Sequence, residues 1–390
     1  MGELKKQYLM TPGPTPIPPR VLQAESRPII HHRTREYSDL FAETLEDLKY
    51  VFQTQNEVLI FASSGTGAME SAVANLFSPG DKVIVPTNGK FGDRFVAIAE
   101  AYGLFVVELR FDWGQVVDSR EVEKALDQYD EDVKGVLVVQ SETSTGVLND
   151  VRSLGAMLRD RAAILVVDSI TGIGAVECRT DEWGLDVVMT GSQKGLMMPP
   201  GLACIAVSPK AWAACERSTL PKYYFSWQKA KKGMAKPRPE TPFTPAISLV
   251  TALRESLKMM REEQLENIIR RHSLLAEAAR KGLEAMGLKL FASPEGRGSA
   301  VTPAFAPAGI DGEEVVKRLQ DRFGITIAGG QDHMKGKMFR IGHLGYYDKF
   351  DIITTLVGLE LVLSEMGHPV SLGAAARAAE NVFARAEVPV

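Results

Sequence analysis

Between residues 57 and 207 short apolar runs alternate with stretches of helical period, and that alternation leaves few folds open. The runs 58–62, 82–85, 104–109, 135–140, 164–168, 186–190 and 202–207 are mostly Val, Ile, Leu, Phe and Ala. Patterned helices fall between most of them, for example over 68–77 and 91–102. Strand alternating with helix predicts a mainly parallel sheet covered by helices on both faces. In such a sheet the residues that end strands point into the crevice where ligands bind. Candidate chemistry is sought there first.

The rest of the chain suggests a second unit. Residues 218–245 turn Lys- and Pro-rich, with Lys222, Lys229, Lys231, Lys232, Lys236 and Arg238, and read as a solvated loop. A helical pattern over 246–286 is long enough to cross between two domains. Beyond it the runs 289–291, 301–305, 325–328 and 339–341 alternate with helices near 313–322 and 350–366, which predicts a smaller α/β unit. The Ala-rich end, 371–390, reads as a surface helix with a frayed tail. The expected division is an N-terminal arm over 1–20, a large domain over 21–263 and a small domain over 264–390. A length of 390 residues suits two domains.

Bulk properties exclude several classes. A net charge of -4 supplies no basic field, so nucleic acid is not an expected partner. No uninterrupted apolar run reaches about 18 residues, so no membrane span is expected. The opening Met1-Gly2-Glu3-Leu4-Lys5-Lys6 lacks the apolar core of a signal peptide. Cys178, Cys204 and Cys215 form no paired framework, and Cys204 reads as a small buried hydrophobe. A cytoplasmic setting is expected.

Two strand ends carry candidate chemistry. Asp168 closes the apolar run 164–168, and Lys194 follows in Thr190-Gly191-Ser192-Gln193-Lys194-Gly195. A carboxylate there could simply cap a loop, and a lysine after a strand is usually a surface charge. Together they suit pyridoxal phosphate: the acid keeps a pyridine nitrogen protonated and the lysine forms a Schiff base with the aldehyde. Burial and nearby cations would lower the lysine pKa. Ser63-Ser64-Gly65-Thr66-Gly67 lies between a strand and a helix start, where free N–H groups favour an anion. The same turn could open a nicotinamide dinucleotide fold, but the third glycine of that fingerprint is absent and Lys194 would have no task. Phe91, after a strand, could stack on a heterocycle or belong to ordinary core. Arg340, inside an apolar strand of the small unit, needs an anionic partner: an amino-acid carboxylate or a structural salt bridge.

In this order the pieces resemble a class V aminotransferase of the fold-type I pyridoxal-phosphate-dependent transferases, and most of all the alanine–glyoxylate and serine–pyruvate aminotransferases. The phrases that carry the resemblance run from Pro12-Gly13-Pro14-Thr15-Pro16 through Ser141-Glu142-Thr143-Ser144-Thr145-Gly146-Val147, Val167-Asp168-Ser169 and Gly191-Ser192-Gln193-Lys194 to Leu253-Arg254-Glu255-Ser256-Leu257 and Arg340-Ile341-Gly342. The implied fold is α/β, with a large, mainly parallel seven-stranded sheet domain and a smaller C-terminal α/β domain. The resemblance implies that Lys194 holds the cofactor, Asp168 pairs with the pyridine nitrogen and Phe91 stacks on the ring, where many relatives have tryptophan. It implies that Ser64, Gly65, Thr66 and Gln193 surround the phosphate, that Thr143 lies by the phenolic oxygen, and that Arg340 clamps the substrate carboxylate. It places Thr244 across a homodimer interface, reaching the neighbouring phosphate.

Three positions depart from the pattern. Thr66 stands where animal relatives carry histidine, Thr241 where some carry tyrosine, and His31-His32-Arg33 replaces a small-residue segment near the substrate entrance. Adjacent histidines are expected to diverge, so no metal site is expected there. The implied reaction is a two-stage amino transfer from alanine or serine to glyoxylate or pyruvate. Alternatives within the class are aminoethylphosphonate or ureidoglycine transamination and cysteine desulfuration, although no cysteine follows Cys215. A catalytically silent subunit is the alternative of another kind.

Overall fold

The computed structural model describes residues 5–129 and 132–386. Seven strands form one sheet in the spatial order Glu57–Ala62, Leu202–Val207, Val187–Gly191, Ile164–Asp168, Val133–Val139, Lys82–Thr87, Phe105–Arg110. Leu202–Val207 runs antiparallel to both its neighbours, and the other pairings are parallel. The central strands are buried almost throughout. Their side chains alternate between two faces, and helices cover both, so the near-continuous apolar sequence is what the position requires. Leu165, Val188 and Cys204 pack with Leu48, Val250 and Leu253 on one side. Val166, Met189 and Ile205 pack with Met69, Val73 and Trp227 on the other. The edge strand Phe105–Arg110 is half-exposed, and its Glu108 and Arg110 pair at 2.9 Å, which leaves charge along an open edge.

The smaller unit is built on an antiparallel three-stranded sheet, Val301–Phe305, Met338–Gly342 and Ala328–Gly329. Leu283, Leu319, Phe339 and Leu359 share its core, and Met10 joins them from the N-terminal arm. Tyr8–Leu9 pairs in parallel with Ile325–Thr326, so this stretch of the arm is tied to the smaller unit. Among the described residues no helix is long and apolar enough to cross a membrane.

Three expectations need correction. The helical pattern over 246–286 is two helices, Ile247–Glu263 and Leu265–Ala285, broken at Gln264 with φ 71°. The break has no glycine or proline to announce it; the Tyr50 hydroxyl meets the Leu265 N–H at 3.0 Å and satisfies a donor of the second helix. The basic 218–245 segment is not merely a solvated loop. It contains the helix Trp227–Met234, capped by Ser226, and Trp227 is fully buried with its N–H groups on Asn75 and Ser71. Its lysines use their charge over rings, Lys229 at 3.6 Å from the Tyr223 centroid and Lys231 at 4.1 Å from that of Trp212. The C-terminal helix, Ala374–Arg385, is docked: Ala375 and Ala379 are fully buried in the smaller core. The tail expected to fray, 387–390, lies outside the described residues, as does 1–4 of the opening segment.

Candidate active site

Asp168 ends its strand almost fully buried, and its Oδ1 accepts the Ile170 N–H at 2.8 Å. Burial pushes its carboxyl up to about 7, against that hydrogen bond. Lys194 lies three residues beyond the neighbouring strand Val187–Gly191, on the same sheet edge. Its Nζ donates to the Pro12 carbonyl at 2.8 Å. Burial lowers its pKa to about 8; Asp168 pulls it up, and Arg340 and Arg94 push it down. An acid displaced upward and a lysine displaced downward thus share one crevice, each close to changing its charge near neutrality. The lysine loop is held by Ser192, whose hydroxyl donates to Pro199 O at 2.6 Å and accepts the Leu202 N–H at 3.1 Å.

The helix after the anion turn starts three residues earlier than the expected Ala68. The helix spans Gly65–Leu76, and its N-cap Ser64 makes no side-chain capping bond. The first-turn N–H donors are therefore left for an anion. A Cβ at Gly65 would overlap the Ile170 side chain, so only glycine lets this turn approach the loop after Asp168. Thr66 Oγ1 accepts from Arg94 Nη1 at 2.9 Å, and the Arg94 guanidinium sits 4.6 Å from the Phe91 centroid. Gln193 Oε1 is buried without a hydrogen-bond partner, a cost that a bound polar group would remove.

Phe91 is half-buried in the first turn of the helix Lys90–Ala101. That turn is anchored by Glu142, which is fully buried. Glu142 Oε2 accepts the N–H groups of Phe91 and Gly92 at 3.0 and 3.1 Å, and Oε1 accepts the Ser144 N–H and hydroxyl. Burial raises the Glu142 pKa and these bonds oppose it. Thr143 and Thr171 join hydroxyls at 2.9 Å, which braces the loops after two adjacent strands. Arg340 arrives from the small sheet: Nε donates to Gly329 O at 2.9 Å and Nη1 to Thr143 O at 3.0 Å. Burial lowers its pKa to about 10, with Glu142 and Glu313 pulling up. Its hydrogen-bond partners are carbonyls, and among the described residues it forms no salt bridge.

Thr244 stands apart from this group. It is exposed at the rim of an apolar pocket lined by Phe41, Phe61, Ala62, Leu202 and Phe243, and no recorded hydrogen bond links it to the other candidates. The expected divergence of His31 and His32 is wrong: their rings lie 4.7 Å apart at 32°. The turn is closed by the Arg33 N–H on His31 Nδ1 at 3.2 Å, and Arg33 pairs with Glu240. Among the described residues no group of His, Cys, Asp or Glu is placed to hold a metal ion.

Glu142, Arg94, Thr171 and the Pro12 carbonyl were not singled out by sequence reasoning. Glu142 had a signal of the same kind as Asp168: an acid just beyond an apolar strand, followed by Thr-Ser-Thr-Gly. Arg94 lies three residues after Phe91 on one helix face, a spacing that carries contact only once Phe91 is placed.

These residues fit pyridoxal phosphate: an uncapped helix start and an orphaned amide for its phosphate, a buried acid for its ring nitrogen, and a lysine of lowered pKa for its aldehyde. The family model for class-V aminotransferases matches residues 7–348. The chain is 45% identical to a protein named as the small subunit of soluble hydrogenase from Synechococcus sp., over 98% of this chain and 99% of that one. It is 36% identical to serine–glyoxylate aminotransferase of Methylorubrum extorquens, over 98% of each. The structure of ureidoglycine–glyoxylate aminotransferase from Bacillus subtilis superimposes with a TM-score of 0.93 at 32% identity, over 99% of each chain. The strand-end acid and lysine, the sheet that delivers them and the whole-length match lead to one family: this chain is a class-V aminotransferase, a pyridoxal-phosphate-dependent enzyme of the fold-type I architecture.

Proposed function

We propose that the protein moves the amino group of a small L-amino acid, alanine or serine, to glyoxylate or pyruvate. The observation that carries the reading is Arg340, a buried guanidinium without a recorded carboxylate partner, in the same site as Asp168 and Lys194. A buried cation in that state calls for an anion, and a 2-amino or 2-oxo acid supplies one.

Pyridoxal phosphate, when bound, accepts the electrons released as a bond at the substrate Cα breaks. The chain's own residues do the rest. Arg340 takes the α-carboxylate and so sets which Cα bond lies within reach of Lys194. The Lys194 amine would take the Cα proton and deliver it to the carbon derived from the cofactor's aldehyde, a task suited to a group whose pKa is about 8. Asp168, once ionised, would keep the ring nitrogen of the bound cofactor protonated. Phe91 would pack on the ring, Thr143 would lie by its phenolic oxygen, and Ser64, Gly65, Thr66 and Gln193 would hold the phosphate. Thr244, exposed and unpaired, suits a homodimer in which it reaches the neighbouring phosphate. The three buried, unpaired cysteines suit a cytoplasmic enzyme.

The glyoxylate acceptor is supported by the serine–glyoxylate and ureidoglycine–glyoxylate relatives, and the latter keeps ureidoglycine, with aminoethylphosphonate, as a competing donor. Desulfuration is disfavoured because Cys178, Cys204 and Cys215 are all buried, with thiols pushed up by burial. Against the name of the hydrogenase relative stand this chain's own site residues, which suit amino transfer; a silent subunit would leave the Asp168–Lys194 pair without use. A panel of donors, L-alanine, L-serine, L-aspartate, ureidoglycine and 2-aminoethylphosphonate, each with glyoxylate, tests the reading. Fastest turnover with alanine or serine supports it, and selective turnover of another donor replaces it.

A further inference from the structure

We propose that the Pro12–Gly13 peptide seats the Lys194 amine, with the Pro12 carbonyl as its acceptor and Gly13 as a positioning residue. The proposal rests on Lys194 being the cofactor-bearing lysine. Two contacts join this peptide to the lysine. Nζ donates to Pro12 O at 2.8 Å, and a Cβ at Gly13 would lie 2.6 Å from Lys194 Cδ and closer still to Cε and Nζ. Gly13 has φ +132°, a conformation that L side chains rarely adopt. A third contact holds the lysine from its other end, where Thr15 Oγ1 donates to Lys194 O at 3.2 Å. Residues 12–15 therefore grip both the side chain and the backbone of one residue 179 positions away.

The grip is anchored in the smaller unit. Met10 O accepts the Gly342 N–H at 2.8 Å, and the Tyr347 hydroxyl meets Leu9 O at 2.8 Å and Thr11 O at 3.1 Å. Gly342 is two residues beyond Arg340 on one strand. The strand that presents the carboxylate clamp therefore also sets where Pro12 O stands over the lysine. A carbonyl accepts from an ammonium and offers nothing to the lone pair of a neutral amine, so the seat favours the protonated lysine and fixes its direction. Asp168, Arg340 and Arg94 are the other charged groups acting on Lys194, and the seat adds to their balance.

The Gly13→Ala variant is the direct probe: the added Cβ meets the Lys194 side chain, and at φ +132° it also strains the turn, so it is read beside a second variant that leaves Gly13 in place. It should push the amine off Pro12 O while leaving the fold in place. Three measurements apply. In cofactor-free protein, the pH dependence of Lys194 acylation, read by mass spectrometry, should report a pKa about one unit below wild type, the loss expected for one charge-assisted hydrogen bond. Pyridoxal phosphate should be taken up about 10²-fold more slowly, the penalty of a displacement near 1 Å. The melting temperature of cofactor-free protein should stay within about 5 °C. Tyr347→Phe, which frees the arm without touching Gly13, should move the pKa and the uptake rate in the same directions by less, and it decides the matter if the alanine variant does not fold. Wild-type values for both quantities in the folded variants, or a raised pKa, would overturn the proposal. Borohydride reduction of wild-type holoenzyme separates the two claims: cofactor trapped on a residue other than Lys194 removes the reading beneath, whereas trapping on Lys194 with unaltered variants removes the seat alone.

Discussion

The Arg340 guanidinium donates from Nη1 to the Thr143 carbonyl at 3.0 Å, which ties a strand of the smaller sheet to the loop that follows a central strand of the larger one. With Nε held by Gly329 O, two of its donors are committed to carbonyls and the plane of the group is set. An ammonium cannot hold that plane, because it is a point charge without the fork. Arg340→Lys should raise KM for the amino donor and lower kcat/KM by about 10–100-fold, with the visible band of bound cofactor unchanged. Initial rates across donor concentrations check this. An unaltered KM would place the substrate carboxylate elsewhere.

Glu142 anchors the turn that carries Phe91 with both carboxylate oxygens accepting. In Glu142→Gln one oxygen becomes an NH2 group that faces backbone N–H or hydroxyl donors. The expected loss is about 1–3 kcal/mol of stability, with weaker cofactor binding because Phe91 loses its fixed position. Melting temperature and a pyridoxal phosphate titration measure the two effects. A stability loss without any change in cofactor affinity would confine Glu142 to the fold.

Asp168 carries a pH signature in cofactor-free protein. Its folded pKa of about 7 lies above the ordinary value of 3.8, so between these pH values the folded state holds a proton that the unfolded state has released. The resulting stabilisation is complete below about 3.8 and is lost as pH rises through about 7. Asp168→Asn should flatten the fall of melting temperature between these limits, by an amount on the order of 4 kcal/mol, and should weaken cofactor binding at pH 8. Melting curves of both cofactor-free proteins at several pH values test the sign. A wild-type slope in the variant would show that another group titrates.

Where one local signal determines the outcome, the sequence was readable. The seven strands follow from runs of Val, Ile and Leu that must be buried on two faces, and Asp168 and Lys194 stand out because each follows such a run. The other features depend on tertiary context. Gln264 breaks a helix with no glycine or proline, and Tyr50, far away in sequence, satisfies a donor freed there. Trp227 is drawn into the core from a lysine-rich stretch by Ser71 and Asn75. Glu142 and Arg94 sit in phrases that look ordinary until the helix Lys90–Ala101 is set against the strand ends. Pro12 O acquires meaning only because the smaller unit holds the arm over Lys194.

The central claim, amino transfer through Lys194 with a small amino acid as donor, is tested most directly by the half-reaction on purified holoenzyme. Adding L-alanine or L-serine without an acceptor should bleach the visible band of lysine-bound cofactor and release one equivalent of the matching 2-oxo acid. Glyoxylate should then restore the band and yield glycine, and Lys194→Ala should show neither change, a loss of at least about 10³-fold in rate. A band that neither donor bleaches, or bleaching at an undiminished rate in Lys194→Ala, would contradict the account.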